Sequence, residues 1–225
     1  ISRGLVGSEM CIRDRNETIE GVACRSLDNL PEKVIVSDCS SNILSEPLDV
    51  KKFGLIYAGA QKNIGPAGLA IVIIRKDLIQ KRDDLPALMS YQTYADSESM
   101  YNTPPTFAWY LSGKVFSWLK RNGGLESIEE INLRKAKKLY DYIDNSDFYY
   151  NDVSIESRSI MNVPFLLNDD SLNDSFLKDS EKEGLLNLAG HRSVGGMRAS
   201  IYNAVPEEAI DALVSFMDVF ANKYG

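Results

Sequence analysis

FGLIYAGAQKNIGPAGLAIVIIRKDLI, residues 53–79, carries two apolar runs, FGLIYAG (53–59) and GLAIVIIRKDLI (68–79), around a glycine-rich loop with one lysine. KVIVSD (33–38) is a third run, β-branched and ending in an acid. Such runs, bounded by turn residues, read as strands. Because they are apolar almost without interruption, the sheet they form is expected to be covered on both faces. Outward from it, 80–105 is polar, holds Pro86, Pro104 and Pro105, and reads mostly as loop. A helix is predicted from Thr106, with Phe107, Leu111, Val115, Trp118 and Leu119 on one stripe, ending at Gly123-Gly124. A second helix carries Ile128, Ile131, Ala136, Leu139, Tyr140 and Ile143, and IMNVPFLL (160–167) reads as a strand. A helix over 171–184 with Ser171 as N-cap, extended pieces at LLNLAG and MRASIY, and a last helix from Pro206 complete the chain. The predicted class is α/β: part of a larger sheet domain over 16–121, then a smaller α+β domain over 122–225.

The 225 residues are 44% hydrophobic and 25% charged, the proportions of a globular chain. With 25 Lys+Arg against 32 Asp+Glu, and a net charge of −7, the sequence lacks the basic face that nucleic-acid binding needs. No apolar run approaches the ~20 residues that span a bilayer. Three cysteines build no disulfide framework, and one histidine rules out a His-rich metal site. Residues 1–15 stand apart. LVGSEMCIRDR (5–15) reads as the translation of a transposase sequencing adapter, with a mitochondrial presequence as the competing reading, against which Glu9 and Asp14 count. The stretch is therefore expected to lie outside the fold. Without it, 22 Lys+Arg face 30 Asp+Glu, a net of −8.

The chemistry concentrates in a few places. Lys62 is the only charge from Tyr57 to Ile74. A lysine in such surroundings loses solvation, and a neutral amine is what Schiff-base chemistry requires. The alternative is a turn lysine that stays wet. Asp38 closes its strand, where open α/β sheets bind ligands. An acid there can keep a pyridine nitrogen protonated, as pyridoxal phosphate (PLP) enzymes do, or it can simply form an Asx turn. Together, Asp38 and Lys62 point toward a PLP site. GHRSVGGMRAS (190–200) sets His191, Arg192 and Arg198 among glycines and small residues. Arginine forks bind carboxylate and phosphate, unless these arginines pair with surface acids. Asn102 and Thr103 precede a helix, where they can hold phosphate or act as caps. Cys39 beside Asp38 is a small buried residue rather than a nucleophile, and Cys24 has no functional partner.

Four stretches taken together resemble the phosphoserine aminotransferase family of fold-type I, PLP-dependent transaminases: NETI (16–19), SDCSSNILSEPLDVKKFGLIYAGAQKNIGPAG (37–68), YNTPPTFAWYLSG (101–113) and GHRSVGGMRASIYNA (190–204). Gln61 stands where the related cysteine desulfurases have histidine. The resemblance implies the C-terminal part of the fold-type I large domain plus a smaller α+β domain. It implies that Lys62 joins the cofactor and moves protons, that Asp38 pairs with the pyridinium nitrogen, and that Thr18 hydrogen-bonds the ring hydroxyl. Gln61 would contact the cofactor phosphate, and Asn102 and Thr103 would reach the phosphate of PLP in a neighbouring subunit, hence a homodimer. Arg198 would clamp the substrate α-carboxylate, and His191 with Arg192 the substrate phosphate. The implied reaction moves an amino group from glutamate to 3-phosphohydroxypyruvate in cytoplasmic serine biosynthesis, with pyridoxine biosynthesis as a second use. Well over a hundred residues precede NETI in the family. They include a glycine-rich phosphate loop, so this chain alone is expected to be inactive. The alternative is a non-enzymatic, partner-binding fragment of the same fold.

Overall fold

The computed structural model describes residues 10–26 and 33–225. They form two compact units. One comprises Leu48–Arg121 with the described parts of Ile1–Arg15 and Ser26–Ile43; the other comprises Asn16–Arg25, Leu44–Pro47 and Asn122–Gly225. Residues 16–25 and 44–47, which precede the division at 121/122 in sequence, thus belong with the second unit. Among the described residues no helix is long and apolar enough to cross a membrane.

The first unit is built on a four-stranded sheet in the order β1 (Met10–Asp14), β2 (Val34–Asp38), β3 (Leu55–Gly59), β4 (Ala70–Ile74). The first three strands are parallel, and β4 returns antiparallel to β3. The sequence excludes 10–14 from the fold, yet these residues pair with β2 from Met10 opposite Val34 to Asp14 opposite Asp38. Main-chain groups make that pairing, and every residue but proline supplies them. Composition therefore gives no warning of it; residues 1–9 lie outside the described residues. A second correction concerns β4. Its apolar run predicts burial on both faces, but Val72 is 40% and Ile73 42% exposed. Ile35, Ile56 and Ala58 of the sheet are buried, as are Ala60 and Ile64 in the loop after β3.

Residues 80–105 are not all loop, since a short helix α1 spans Tyr91–Asp96. Helix α2 spans Thr106–Arg121 and buries Ala108, Ser112 and Leu119; the predicted stripe is wrong at Phe107, which is 72% exposed. Gly123 takes a left-handed conformation (φ +92) and separates α2 from α3, Gly124–Asp144, where a side chain would be strained.

In the second unit, α3 and α5 (Glu207–Tyr224) accompany an antiparallel sheet of β5 (Tyr149–Tyr150), β6 (Asn162–Leu167) and β7 (Met197–Ser200). Helix α4 spans Asn173–Lys182, so its predicted cap needs correcting: Asp169, rather than Ser171, caps the preceding turn, its carboxylate accepting from the Ser171 amide at 2.9 Å. LLNLAG forms only a bridge at Ala189 with Met197. The core is aromatic. Tyr149, Phe165, Phe176 and Phe220 meet edge to face, with ring centroids 5.1–6.1 Å apart, the offset that ring quadrupoles favour. The Tyr149 hydroxyl donates to the Met217 carbonyl at 2.9 Å. Lys135 on α3 is wholly buried, and its ammonium donates to the carbonyls of Ile201, Tyr202 and Val205 at 3.1, 2.9 and 3.0 Å.

Candidate active site

Parallel neighbours β2 and β3 end together, and their carboxyl ends carry the first group of predicted residues. Asp38 is the last residue of β2 and stands opposite Tyr57 of β3. The turns that follow are tied to each other. The Cys39 amide donates to the Tyr57 carbonyl at 2.9 Å, and the Gly59 amide to Ser40 Oγ at 3.1 Å. One Asp38 oxygen accepts from the Ser40 amide at 2.8 Å. The Asx turn therefore exists, and the Tyr57 phenol also interacts with the same carboxylate. Burial first, and then the Asp38 charge, push the Tyr57 phenol above its ordinary range. Burial likewise pushes the Cys39 thiol up, against nucleophilic use.

Lys62 follows β3 by three positions and is half-buried in the loop between β3 and β4. That loop is anchored. Ala60 donates to the Leu69 carbonyl at 2.9 Å, Gly65 to the Ala60 carbonyl at 2.8 Å, and the Asn63 amide group to the Ile43 carbonyl at 3.0 Å. A Cβ on Gly65 would lie 3.0 Å from Ser112 Oγ, so small residues let the loop approach α2 closely. Gln61 is exposed, its side chain folded over Gly59, where a Cβ would collide with it. Asn102 and Thr103 are exposed ahead of α2, and neither makes a hydrogen bond among the described residues. Capping of the helix, the simpler reading of that pair, is not observed.

The second unit brings Thr18 and Arg198 together. Glu17 closes the NETI turn, its carboxylate accepting from the Ile19 and Glu20 amides at 2.9 and 2.6 Å. Asn16 donates to Asn162 Oδ1 at 3.2 Å, while Asn162 Nδ2 donates to the Tyr202 hydroxyl at 3.0 Å. Held in this way, the turn offers the Thr18 carbonyl to Arg198 Nη1 at 3.4 Å. Arg198 Nε is buried without a partner among the described residues. Such an orphan is unusual in a native structure and points to an absent acceptor. In the loop before β7, His191 is half-buried and Arg192 is exposed. Neither Arg192 nor Arg198 pairs with an acid among the described residues, so the surface ion-pair reading of these arginines fails. Asn162, Tyr202 and Ser193 escape the sequence reading. For Asn162 the sole signal was an amide inside the apolar run IMNVPFLL.

Comparison with known proteins bears on what this arrangement is. The family model "Aminotransferase class-V" matches residues 15–213. The chain belongs to the class-V aminotransferase family. Among curated relatives of this class-V chain, the phosphoserine aminotransferase of Acinetobacter baylyi is 61% identical over 213 residues, covering 93% of this chain and 58% of that protein. That of Hahella chejuensis is 57% identical over 92% of this chain and 58% of its own length. The chain thus spans somewhat over half the length of these relatives. Among solved structures, phosphoserine aminotransferase from Bacillus circulans subsp. alkalophilus superposes with a TM-score of 0.92 at 47% identity, covering 95% of this chain and 60% of that one. A PLP-bound phosphoserine aminotransferase from Trichomonas vaginalis gives 0.87 at 41%, covering 92% and 59%. An alanine–glyoxylate aminotransferase from Nostoc, 14% identical with a TM-score of 0.78, shares the fold of this class-V chain.

Proposed function

We propose that this chain is part of a phosphoserine aminotransferase that uses PLP, glutamate and 3-phosphohydroxypyruvate. The observation that carries the reading is the placement of Asp38 at the end of β2 and of Lys62 just beyond the adjacent parallel strand β3. The residues fit the cofactor. A carboxylate at the end of a strand, an amine on an anchored loop and a primary amide form the set of groups that a cationic ring and a phosphate require. PLP, when bound, supplies an electron sink for the substrate's Cα.

The chain's own residues do the rest. Asp38 would hold the ring nitrogen in its protonated form through its negative charge. Lys62 Nζ anchors the cofactor and takes and returns the proton at the substrate's Cα, a task its loop anchors hold in register. Thr18 holds the ring hydroxyl and Gln61 the cofactor phosphate. Asn102 and Thr103 serve the phosphate in a partner subunit of a homodimer. The orphaned Nε of Arg198, together with Nη2, offers one edge of the fork to the α-carboxylate, since Nη1 is engaged by the Thr18 carbonyl. His191 and Arg192 take the substrate phosphate. The setting is cytoplasmic serine biosynthesis, and the 225 residues by themselves are expected to be inactive.

In a chain extended to the length of its relatives, Lys62→Ala should abolish transamination. Arg192→Leu should weaken phosphohydroxypyruvate by about 2–5 kcal/mol, the cost of removing one charge-assisted fork from its phosphate, and leave glutamate nearly untouched. Equal losses for both substrates would assign Arg192 to the fold instead.

A further inference from the structure

The loop from Gly190 to Gly196 looks like a backbone cradle for an anion, yet the amides of Gly190, Ser193, Val194 and Gly195 are spent inside the loop. Gly190 donates to the Gly196 carbonyl at 2.9 Å, and Val194 and Gly195 both donate to the His191 carbonyl at 2.9 and 2.8 Å. The Ser193 amide donates to His191 Nδ1 at 3.2 Å, and the Ser193 hydroxyl lies 2.6 Å from the same nitrogen. A ring nitrogen that accepts a backbone N–H carries no proton of its own. The neutral imidazole must then hold its proton on Nε2.

We infer that Ser193 is a positioning residue of the phosphate site, occupying His191 Nδ1 so that the ring meets its ligand as an Nε2–H donor. The inference rests on the proposed assignment of His191 and Arg192 to the substrate phosphate. Phosphate monoester oxygens only accept hydrogen bonds once ionised. The opposite tautomer would aim a lone pair at them and repel. In this arrangement Arg192 supplies the positive charge and His191 supplies direction. Ser193 touches no ligand atom and acts wholly through the ring.

The sequence has one histidine, so the imidazole nitrogens of the chain labelled with 15N-histidine give a single assignable pair. At a pH where the ring is neutral, the unmodified chain should show Nε2–H alone. Ser193→Ala removes the 2.6 Å hydroxyl contact and leaves only the longer 3.2 Å amide bond on Nδ1, so it should admit the second tautomer, and Ser193→Thr, which keeps the hydroxyl, should restore the single form. Titrated inorganic phosphate should move Nε2 more than Nδ1, and Ser193→Ala should weaken it by about fivefold, the scale of one neutral hydrogen bond. An Nδ1–H ring in the unmodified chain, or tautomers unchanged in Ser193→Ala, overturns the inference. If phosphate moves neither nitrogen while Ser193→Ala still mixes the tautomers, the lock stands and the assignment of this loop to phosphate falls.

Discussion

Lys135 holds three carbonyls in the second unit without an ion pair among the described residues, and burial pushes its ammonium down from 10.5 to about 8, with the Glu207 charge opposing. Between those values the unfolded chain binds more protons than the folded one, so stability should rise with pH through that window. The gain has a ceiling of about 3 kcal/mol, and the carbonyls, which favour the charged form, lower it. Above about pH 10 the buried phenols of Tyr140 and Tyr149, both pushed up by burial, reverse the slope. Guanidinium midpoints should therefore climb from about pH 8 to about pH 9.5 and stay flat for Lys135→Met, which at neutral pH should also lose about 1–3 kcal/mol through orphaned carbonyls. Gly21 gives a second test. It sits at φ +68, and a Cβ would press on the Pro164 ring and lie 2.7 Å from the Asn162 carbonyl. Gly21→Ala should cost at least about 2 kcal/mol and expose the Ser159 amide, which donates to the Gly21 carbonyl at 2.9 Å, to hydrogen exchange. The positions of Asp38 at the end of β2 and of Lys62 after β3 were legible in the sequence because the apolar, β-branched runs before them mark both strands. Lys135 was half-legible: its spacing from Ile128 and Leu139 puts it on the buried stripe, but a lysine there contradicts the pattern that defines the stripe. Ser193 was not legible, because its meaning depends on how one turn points its hydroxyl.

Helices and strands were found where period and β-branching are strong, and the errors concern which face is covered. A run such as AIVII in β4 states that burial is permitted on both faces; what actually packs there is decided by other segments. Helix α2 shows the same limit. Its stripe was read through Phe107, whereas the small residues Ala108 and Ser112 turn inward because they allow close approach. The contrast can be measured. Phe176 is 0% exposed within the aromatic cluster, and Phe176→Ala should cost about 3–5 kcal/mol. Phe107→Ala should stay within about 0.5 kcal/mol, as surface changes do. Thermal melts of the two variants would separate them, and similar losses would mean that the face of α2 bearing Phe107 is covered.

The division into two units was only partly legible, since contiguity in sequence hides that 16–25 and 44–47 pack with the second unit. The units also differ in what they leave open. The second unit encloses a continuous apolar core of α3, α5 and the β5–β7 sheet, and Ile155, Leu186 and Val219 are its described large apolar side chains exposed by more than half. The first exposes Leu88, Met89, Phe107 and Tyr110 by more than half and Val72, Ile73 and Trp109 by 40–47%. Amides of 122–225 should therefore exchange more slowly than those of 33–121, and a hydrophobic dye should bind the first unit; the reverse order of protection would overturn this view. The hydrogen bond from Asn16 to Asn162 joins residues 146 positions apart. On a ribosome adding roughly 5–20 residues per second, the NETI turn waits about 7–30 s for that partner to emerge. During that interval the turn that steadies the arginine fork exists only as nascent chain, so silent codon changes between these points, by altering elongation speed, would change how long it is exposed to chaperones and proteases.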